Sequence, residues 1–316
     1  MRPSRVKQDP SRRRRTAFSA LSLPSAYPYG YHFDLRDKAT AAGSSPKEGL
    51  ILFGRLTSDA TRTYPVDVIQ LGLGALQHAH EETDWLRVVG EVVSWIERTM
   101  DHRGLIPCPF PMPHTFPLAA PWHSSLAQGE AASLLVRAST ALGRADLADL
   151  AVRAVSSLVE SDSVLIAVTP DGPVLQEYPS TPPAHVLNGW ITSLWGLYDV
   201  AHAPGGVEAT AARAPVARAF DAGVATLVAR LHLYRTPIGW SRYDLYPHPL
   251  TNVASPSYHR LHVGHLRRLN ELAPHELFTQ TADEWARSGS NAVLRSFAVS
   301  RKVLFRVVRP RWRRVR

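Results

Sequence analysis

The sequence predicts a mainly α protein: an (α/α) barrel or toroid of about four helical hairpins, with a small β-hairpin and long loops at one end. Three observations carry this expectation. Apolar residues recur at helical spacing in pairs of segments split by short turns. The first segment of each pair is rich in small residues, among them Gly72, Gly74, Gly129, Ala131, Ala132 and Gly189, which would let inner helices approach closely around an axis. The connections between pairs are long and rich in proline and aromatic residues, whereas inert helix–helix connections tend to be short.

Taken in order, residues 1–25 read as a disordered basic tail. AYPYGYHFDLRDK (26–38) reads as a short extended segment, and 39–64 as irregular around a small apolar island at 50–53. PVDVIQLGLGALQHAH and DWLRVVGEVVSWIERT form the first hairpin. The loop CPFPMPHTFPLAAPW (108–122) has too many prolines to be helical. SSLAQGEAASLLVRASTAL and ADLADLAVRAVSSLVE give the second hairpin, split at Gly143. SVLIAVTP and PVLQEYP alternate around Asp171-Gly172, a strong tight-turn signal for a β-hairpin. A helix opening at Ala184 or His185 and one around 207–231 make the third hairpin. YHRLHVGHLRRLNEL and LFTQTADEWARS make the fourth. The folded domain spans 26–290, and 291–316 reads as a second basic tail.

Composition narrows the function. The formal charge is +9, but residues 1–16 hold seven basic residues against one acid, and 301–316 hold eight and none. The tails together carry +14 and leave the middle at −5. Basicity therefore belongs to two extensions and not to a folded groove-reading face, so no specific nucleic acid is expected. The tails permit contact with a membrane surface. SRRRRTAFSALSLPSA loosely echoes a twin-arginine export signal, but a plain tail suits its short, Ser- and Pro-broken apolar part better. A cytoplasmic or cytoplasmic-membrane-associated location is the reading preferred here, and a homodimer stays open. The lone Cys108 excludes an intramolecular disulfide and a thiolate metal cluster. His259, His262 and His265 share a helical face, but without an HExxH pattern they read as interfacial histidines, so neither metal nor cofactor is expected.

The loops that lead into inner helices carry the chemistry. Stacked hairpins would bring Trp122, Gln128, Glu130, Glu177, Tyr178, Asn188, Arg242, Tyr243, Asp244, Tyr246, Asn252, Tyr258, His259 and His262 to one end. Planar faces, amides, acids and phenols together suit a sugar. EYPSTPP (177–183) fixes Glu177 and Tyr178 in a stiff lead-in to a buried helix, a common setting for binding or catalysis.

WHSSLAQGEAASLLVRA, EYPSTPPAHVLNGWITSLWGLYD and the YDL…YHRLH pair resemble the C-terminal catalytic domain of the D-glucuronyl C5-epimerases of heparan sulfate synthesis. YHFDL and PVDVIQLGLGAL resemble the bacterial stand-alone members. The resemblance runs from about Tyr29 to Trp285. It implies an (α/α) barrel that converts glucuronate to iduronate within a uronic-acid polysaccharide of the glycosaminoglycan type. C5 proton abstraction would be followed by reprotonation on the opposite face. The catalytic residues it implies are Tyr178, Tyr243 and Tyr258, with Glu177 as partner. Trp122, Gln128, Asn188, Arg242, Tyr246, Asn252, His259 and His262 would bind substrate. An ordinary phenol, with a pKa near ~10, needs a cation beside it to act as a base at neutral pH, and Arg242, His259 and His262 are the expected cations. The family's YDLR is YDLY here, with Tyr246 in place of the arginine, so that arginine's role must pass to Arg242 or elsewhere. Three rival readings remain: a uronate lyase sharing the first step, a hydrolase using Glu177 with Asp244 or Glu130, and an inactive glycan-binding homologue.

Overall fold

The computed structural model describes residues 27–40, 45–112, 115–205, 211 and 213–310. The basic segment 1–25, with its twin-arginine reading, lies outside these residues, as does 311–316. The protein is mainly helical. Its elements are α1 (Arg36–Ala39), α2 (Pro46–Thr57), α3 (Pro65–His78), α4 (Leu86–Thr99), α5 (Ser125–Ala141) and α6 (Asp146–Ser156). They continue with α7 (Leu187–Ala201), α8 (Ala214–Arg230), α9 (Pro256–Leu272), α10 (Glu276–Ser290) and α11 (Ala292–Val308). Strands β1 (Pro107–Cys108) and β2 (Trp122–His123) pair antiparallel and close the base of the proline-rich loop. Strands β3 (Ile166–Thr169) and β4 (Gly172–Leu175) form the hairpin expected around Asp171-Gly172, with Ile166 opposite Leu175 and Thr169 opposite Gly172.

Burial sorts inner helices from outer ones. In α5 fourteen of seventeen residues are buried and in α7 thirteen of fifteen, so both are enclosed on every side. In α4 the buried set is Val88, Val89, Val92, Val93 and Ile96, one stripe of an outer helix. Helices α3, α5, α7 and α9 touch one another in chain order, and each packs against its own outer partner, α4, α6, α8 or α10. The α5–α7 contact is the tightest of these approaches. A Cβ on Gly196 would sit 2.4 Å from the Gly129 Cα, so only glycine lets these backbones meet. Trp85, Trp190, Trp195, Phe278 and Trp285 fill the continuous core between the layers.

Four expectations need correction. The segment 39–64 is not irregular, because Pro46 at the first turn and the Ser45 hydroxyl, which accepts from the Glu48 N–H, start α2. Nor is 26–38 simply extended, since it ends in α1. Helix α7 begins at Leu187, later than Ala184 or His185, because His185 takes a left-handed backbone at φ 48° that a helix cannot contain. The largest change concerns 291–316. Asn291 accepts from the Val293 and Leu294 N–H groups and caps α11, while Ala298 and Phe305 are buried against the body. The described part of the expected tail, through Val308, is therefore a packed helix. Burying the Phe305 side chain contributes ~1.5–3 kcal/mol to that docking.

Candidate active site

The N-terminal halves of α3, α5, α7 and α9 surround a cavity of ≈ 370 Å³. Phe33, Lys38 and Tyr64 contribute from the chain before α3, and Glu177 and Tyr178 from the segment joining β4 to α7. That joining segment is held by the hairpin: the Gln176 N–H donates to the Leu165 carbonyl and the Gln176 carbonyl accepts from the Ser125 N–H. Glu177 then folds over the first turn of α7. Its Oε2 accepts from Asn188 Nδ2 at 3.3 Å, and a Cβ on Gly189 would stand 2.3 Å from the same oxygen. LNG thus reads physically as one residue to hold the carboxyl and one to make room for it.

Tyr178 lies against Phe116 and Trp122, with ring centroids 5.1 and 5.6 Å away. Its phenol bonds the Glu177 carboxyl and shares a hydrogen bond with Tyr64. Tyr258 enters from the first turn of α9, which Pro256 opens and the Ser255 hydroxyl caps through the Tyr258 N–H. Tyr243 meets it edge-on at 4.9 Å. The Tyr243 backbone is pinned on both sides: its N–H donates to the Asn252 carbonyl and its own carbonyl accepts from the Leu187 N–H that starts α7.

Burial sets the protonation states. Glu177 is pushed up to about 7 by desolvation, against the opposing bonds from Tyr178 and Asn188. Glu130, on α5, is pushed up to about 8 by desolvation, although Gln70 Nε2 donates to its Oε1 at 2.9 Å and Lys38 is near. Its Oε2 has no partner. Desolvation also drives the Tyr178 and Tyr243 phenols well above their ordinary value, and the Glu177 carboxyl adds to both shifts. At neutral pH the site therefore holds one carboxyl near its midpoint, one largely protonated, and neutral phenols.

The structure treats the expected binding residues unequally. Glu177, Tyr178, Asn188 and Tyr258 line the cavity, Tyr243 adjoins it through Tyr258, and Trp122 backs Tyr178. Gln128 does not reach it. Its amide is spent on the Gly104 and Ala154 carbonyls and the Ile106 N–H, which tie α5 to neighbouring chain. Arg242 is turned away, with a long bond to the Leu233 carbonyl, and Tyr246 packs on Phe116 and His248. His259 stacks on Trp240 at 3.8 Å between Ser241 and the Trp285 carbonyl, and burial lowers it to about 4. His262, bonded to the Ser241 hydroxyl, is lowered further by burial. Neither histidine is a cation at neutral pH. Among the described residues no cluster of three or more His, Cys, Asp or Glu is placed to hold a metal ion.

The cations come from elsewhere. Lys38 lines the cavity from α1. Lys302 of α11 places its ammonium 5.3 Å from the Tyr243 ring centroid and donates to Asn252 Oδ1 at 2.6 Å, while Asn252 Nδ2 donates to Asp244. Asn252 is thus the link that positions a lysine beside the tyrosine pair. Lys302 sits within a run of basic residues and has no local signal of its own. Glu130 did have one: it is a carboxylate among the small residues of LAQGEAAS, on a helix with no polar face.

Residues 100–287, more than half of the chain, match the family model described as the D-glucuronyl C5-epimerase C-terminus. The chain belongs to this family. It is also 30% identical, over 226 residues, to the D-glucuronyl C5-epimerase of Caenorhabditis elegans. That alignment takes in 66% of this chain but 35% of the relative, so the match spans about a third of the nematode protein. The matched family region contains Tyr178, Tyr243 and Tyr258, whereas Lys38 and Lys302 lie outside it.

Proposed function

We propose that the protein is a polysaccharide D-glucuronyl C5-epimerase whose cavity holds one uronate residue of an anionic polymer and inverts it at C5. The sequential contact of four inner helices, each with an outer partner, supports reading the scaffold as an (α/α) toroid with its loops gathered at the site end. The observation that carries the functional reading is the meeting of Glu177 and Tyr178, from the β4–α7 segment, with Tyr258 of α9 around one cavity, and of Tyr258 with Tyr243 beside it. Inversion needs a proton acceptor on one face of the sugar and a donor on the other, and separate chain segments supply two sets of groups around the cavity.

The protonation states refine the roles. Glu177, near 7, is matched to accept a proton at neutral pH, directly or through its bond to Tyr178. Tyr243 is held protonated, and with Tyr258 forms the donor side. Removing a proton α to a carboxylate develops a second negative charge. The protonated Glu130 can donate a hydrogen bond to the substrate carboxylate, and Lys302 faces the tyrosine pair as a cation, so both relieve that charge. Lys38 at the rim attracts the polymer. These positions offer a replacement for the arginine that Tyr246 displaces.

The deciding experiment incubates the protein with desulfated, glucuronate-containing heparosan in D₂O and follows the polymer by NMR. Deuterium at C5 with new iduronate signals is the expected result. An unsaturated uronate signal would make it a lyase, and no exchange across several uronate polymers would make it a glycan-binding homologue.

A further inference from the structure

Helix α11 is apolar on two sides. Its inner side buries Ala298 and Phe305 against the body. Its outer side exposes Val293, Phe297, Val303, Leu304, Val307 and Val308, with Val293 at 76%, Val307 at 72% and Phe297 at 51%. Val299, at 41%, is exposed on the same helix, whereas the exposed large apolar residues elsewhere, such as Ile51, Val168 and Leu277, are scattered over separate elements. Such a face needs a second apolar medium. We infer that the outer face of α11 docks the protein flat on an anionic lipid surface.

Charge selects that occupant. Residues 291–316 contain nine basic residues and no acid; Lys302 and Arg306 are bonded to Asn252 and Thr115, while Arg295 and Arg309 are exposed and Arg301 is half-buried. Two copies joined through this face would set those charges against one another, which opposes a dimer seam. A hydroxylated anionic polymer would satisfy the arginines but offers little to valine, leucine and phenylalanine. An anionic bilayer satisfies both, with apolar side chains at the acyl boundary and arginines among the headgroups. The helix lies on the surface and does not enter it as a span. Its seventeen residues reach roughly 26 Å at the ~1.5 Å rise of a helix, Arg301, Lys302 and Arg306 interrupt it, and no described helix is long and apolar enough to cross a membrane. Lys302 leaves the same helix toward Tyr243.

The test is co-sedimentation of the full chain with vesicles of phosphatidylcholine alone and of phosphatidylcholine with phosphatidylglycerol. Binding is expected to require phosphatidylglycerol and to weaken at high salt. The double variant Phe297→Ser with Leu304→Ser, at two exposed positions, should lower partitioning at least ~tenfold. Its helicity, melting temperature and turnover of soluble polysaccharide should be unchanged. Absence of phosphatidylglycerol-dependent binding would overturn the inference. So would equal binding by the double variant, since basic residues alone would then account for it. A wild-type dimer in sedimentation velocity, abolished by the same variant without any vesicle binding, would show the face to be a seam between copies.

Discussion

The two ends of the inner helices hold buried carboxyls in opposite ways. At the cavity end, Glu130 on α5 and Glu177 over α7 lack a cationic partner in direct contact, and burial raises both. Seven residues further along α5, Arg137 donates to both oxygens of Asp199 on α7, at 2.6 and 3.1 Å, with Ser133 and His32 completing the shell. There burial would raise Asp199, but Arg137 and His32 outweigh it and hold the carboxyl well below its ordinary value. His32 is itself lowered by burial, so the charge that balances Asp199 is that of Arg137. A second cavity, of ≈ 570 Å³, opens at this end, but its charged lining is already paired. One helix pair thus carries a paired carboxyl at Asp199 and, about two turns away, Glu130 with a raised pKa, beside Glu177 of the β4–α7 segment. An unsatisfied buried carboxyl costs stability, and under the proposed function this is the end that works on substrate.

The largest expected effects separate these ends by activity. Tyr258→Phe, Tyr243→Phe or Glu177→Gln should each lower kcat by ~10²–10⁴-fold, the usual contribution of a positioned acid or base. Melting temperatures should stay within a few degrees, since each change removes little packing. Near-wild-type turnover in both tyrosine variants would remove the assignment. At the other end Asp199→Ala strands the Arg137 guanidinium and should cost ~3–5 kcal/mol in denaturant unfolding, with kcat per folded molecule unchanged. A selective loss of kcat there would erase the contrast.

Acidity separates the same ends by sign. The folded pKa values of Glu177 and Glu130 are raised, to about 7 and about 8, from an ordinary 4.5. Their contribution to stability is therefore present below about 4.5 and is lost as pH rises through the folded values. Asp199 is depressed from 3.8, so its contribution is present above that value and is lost on acidification. Above about pH 6.5, where the buried histidines are neutral folded or unfolded, unfolding free energy should fall toward pH 8, at a slope of at most ~1.4 kcal/mol per pH unit for each carboxyl; below it the lowered histidines, His259 and His265 among them, work the other way. Glu130→Gln should flatten that fall without changing the acid limb. A profile identical to wild type would show that Glu130 is ionised at neutral pH.

How much of this was legible in the sequence depends on what kind of signal each part leaves. The hairpins were readable because a helix that is buried or half-buried must repeat its apolar residues every three or four positions. The Asp171-Gly172 turn and the EYP lead-in were readable because proline and glycine act locally. Motif likeness pointed to Glu177, Tyr178, Tyr243 and Tyr258, and Asn188 could be read from LNG as the anchor of that loop. What was not legible is which polar groups are already occupied. Gln128 and His259 look like ligands in sequence, and only the packed structure shows their hydrogen bonds committed to Gly104, Ala154, Ser241 and Trp285. Helix α11 was misread for a related reason. Its apolar residues are interleaved with arginines, and charge runs usually signal a solvated segment. Asn291 as a cap was the local sign that a helix begins there.

That misreading leads to the smallest and sharpest prediction. If 301–308 were a solvated tail, its removal would leave turnover of a small substrate intact. Because the segment carries Lys302 to Asn252 and the Tyr243 ring, Lys302→Met should lower kcat about tenfold, the equivalent of roughly one pKa unit in a reacting group. The direction of the pH shift is fixed by charge. Removing a cation disfavours the phenolate, so the pKa of the tyrosine pair rises and the alkaline limb of the kcat/KM profile moves to higher pH. Loss of packing alone would lower activity without moving that limb, and Lys302→Arg, which keeps the charge, should restore its position. An unshifted limb in Lys302→Met would return the search for the missing cation to Lys38, at the rim of the same cavity.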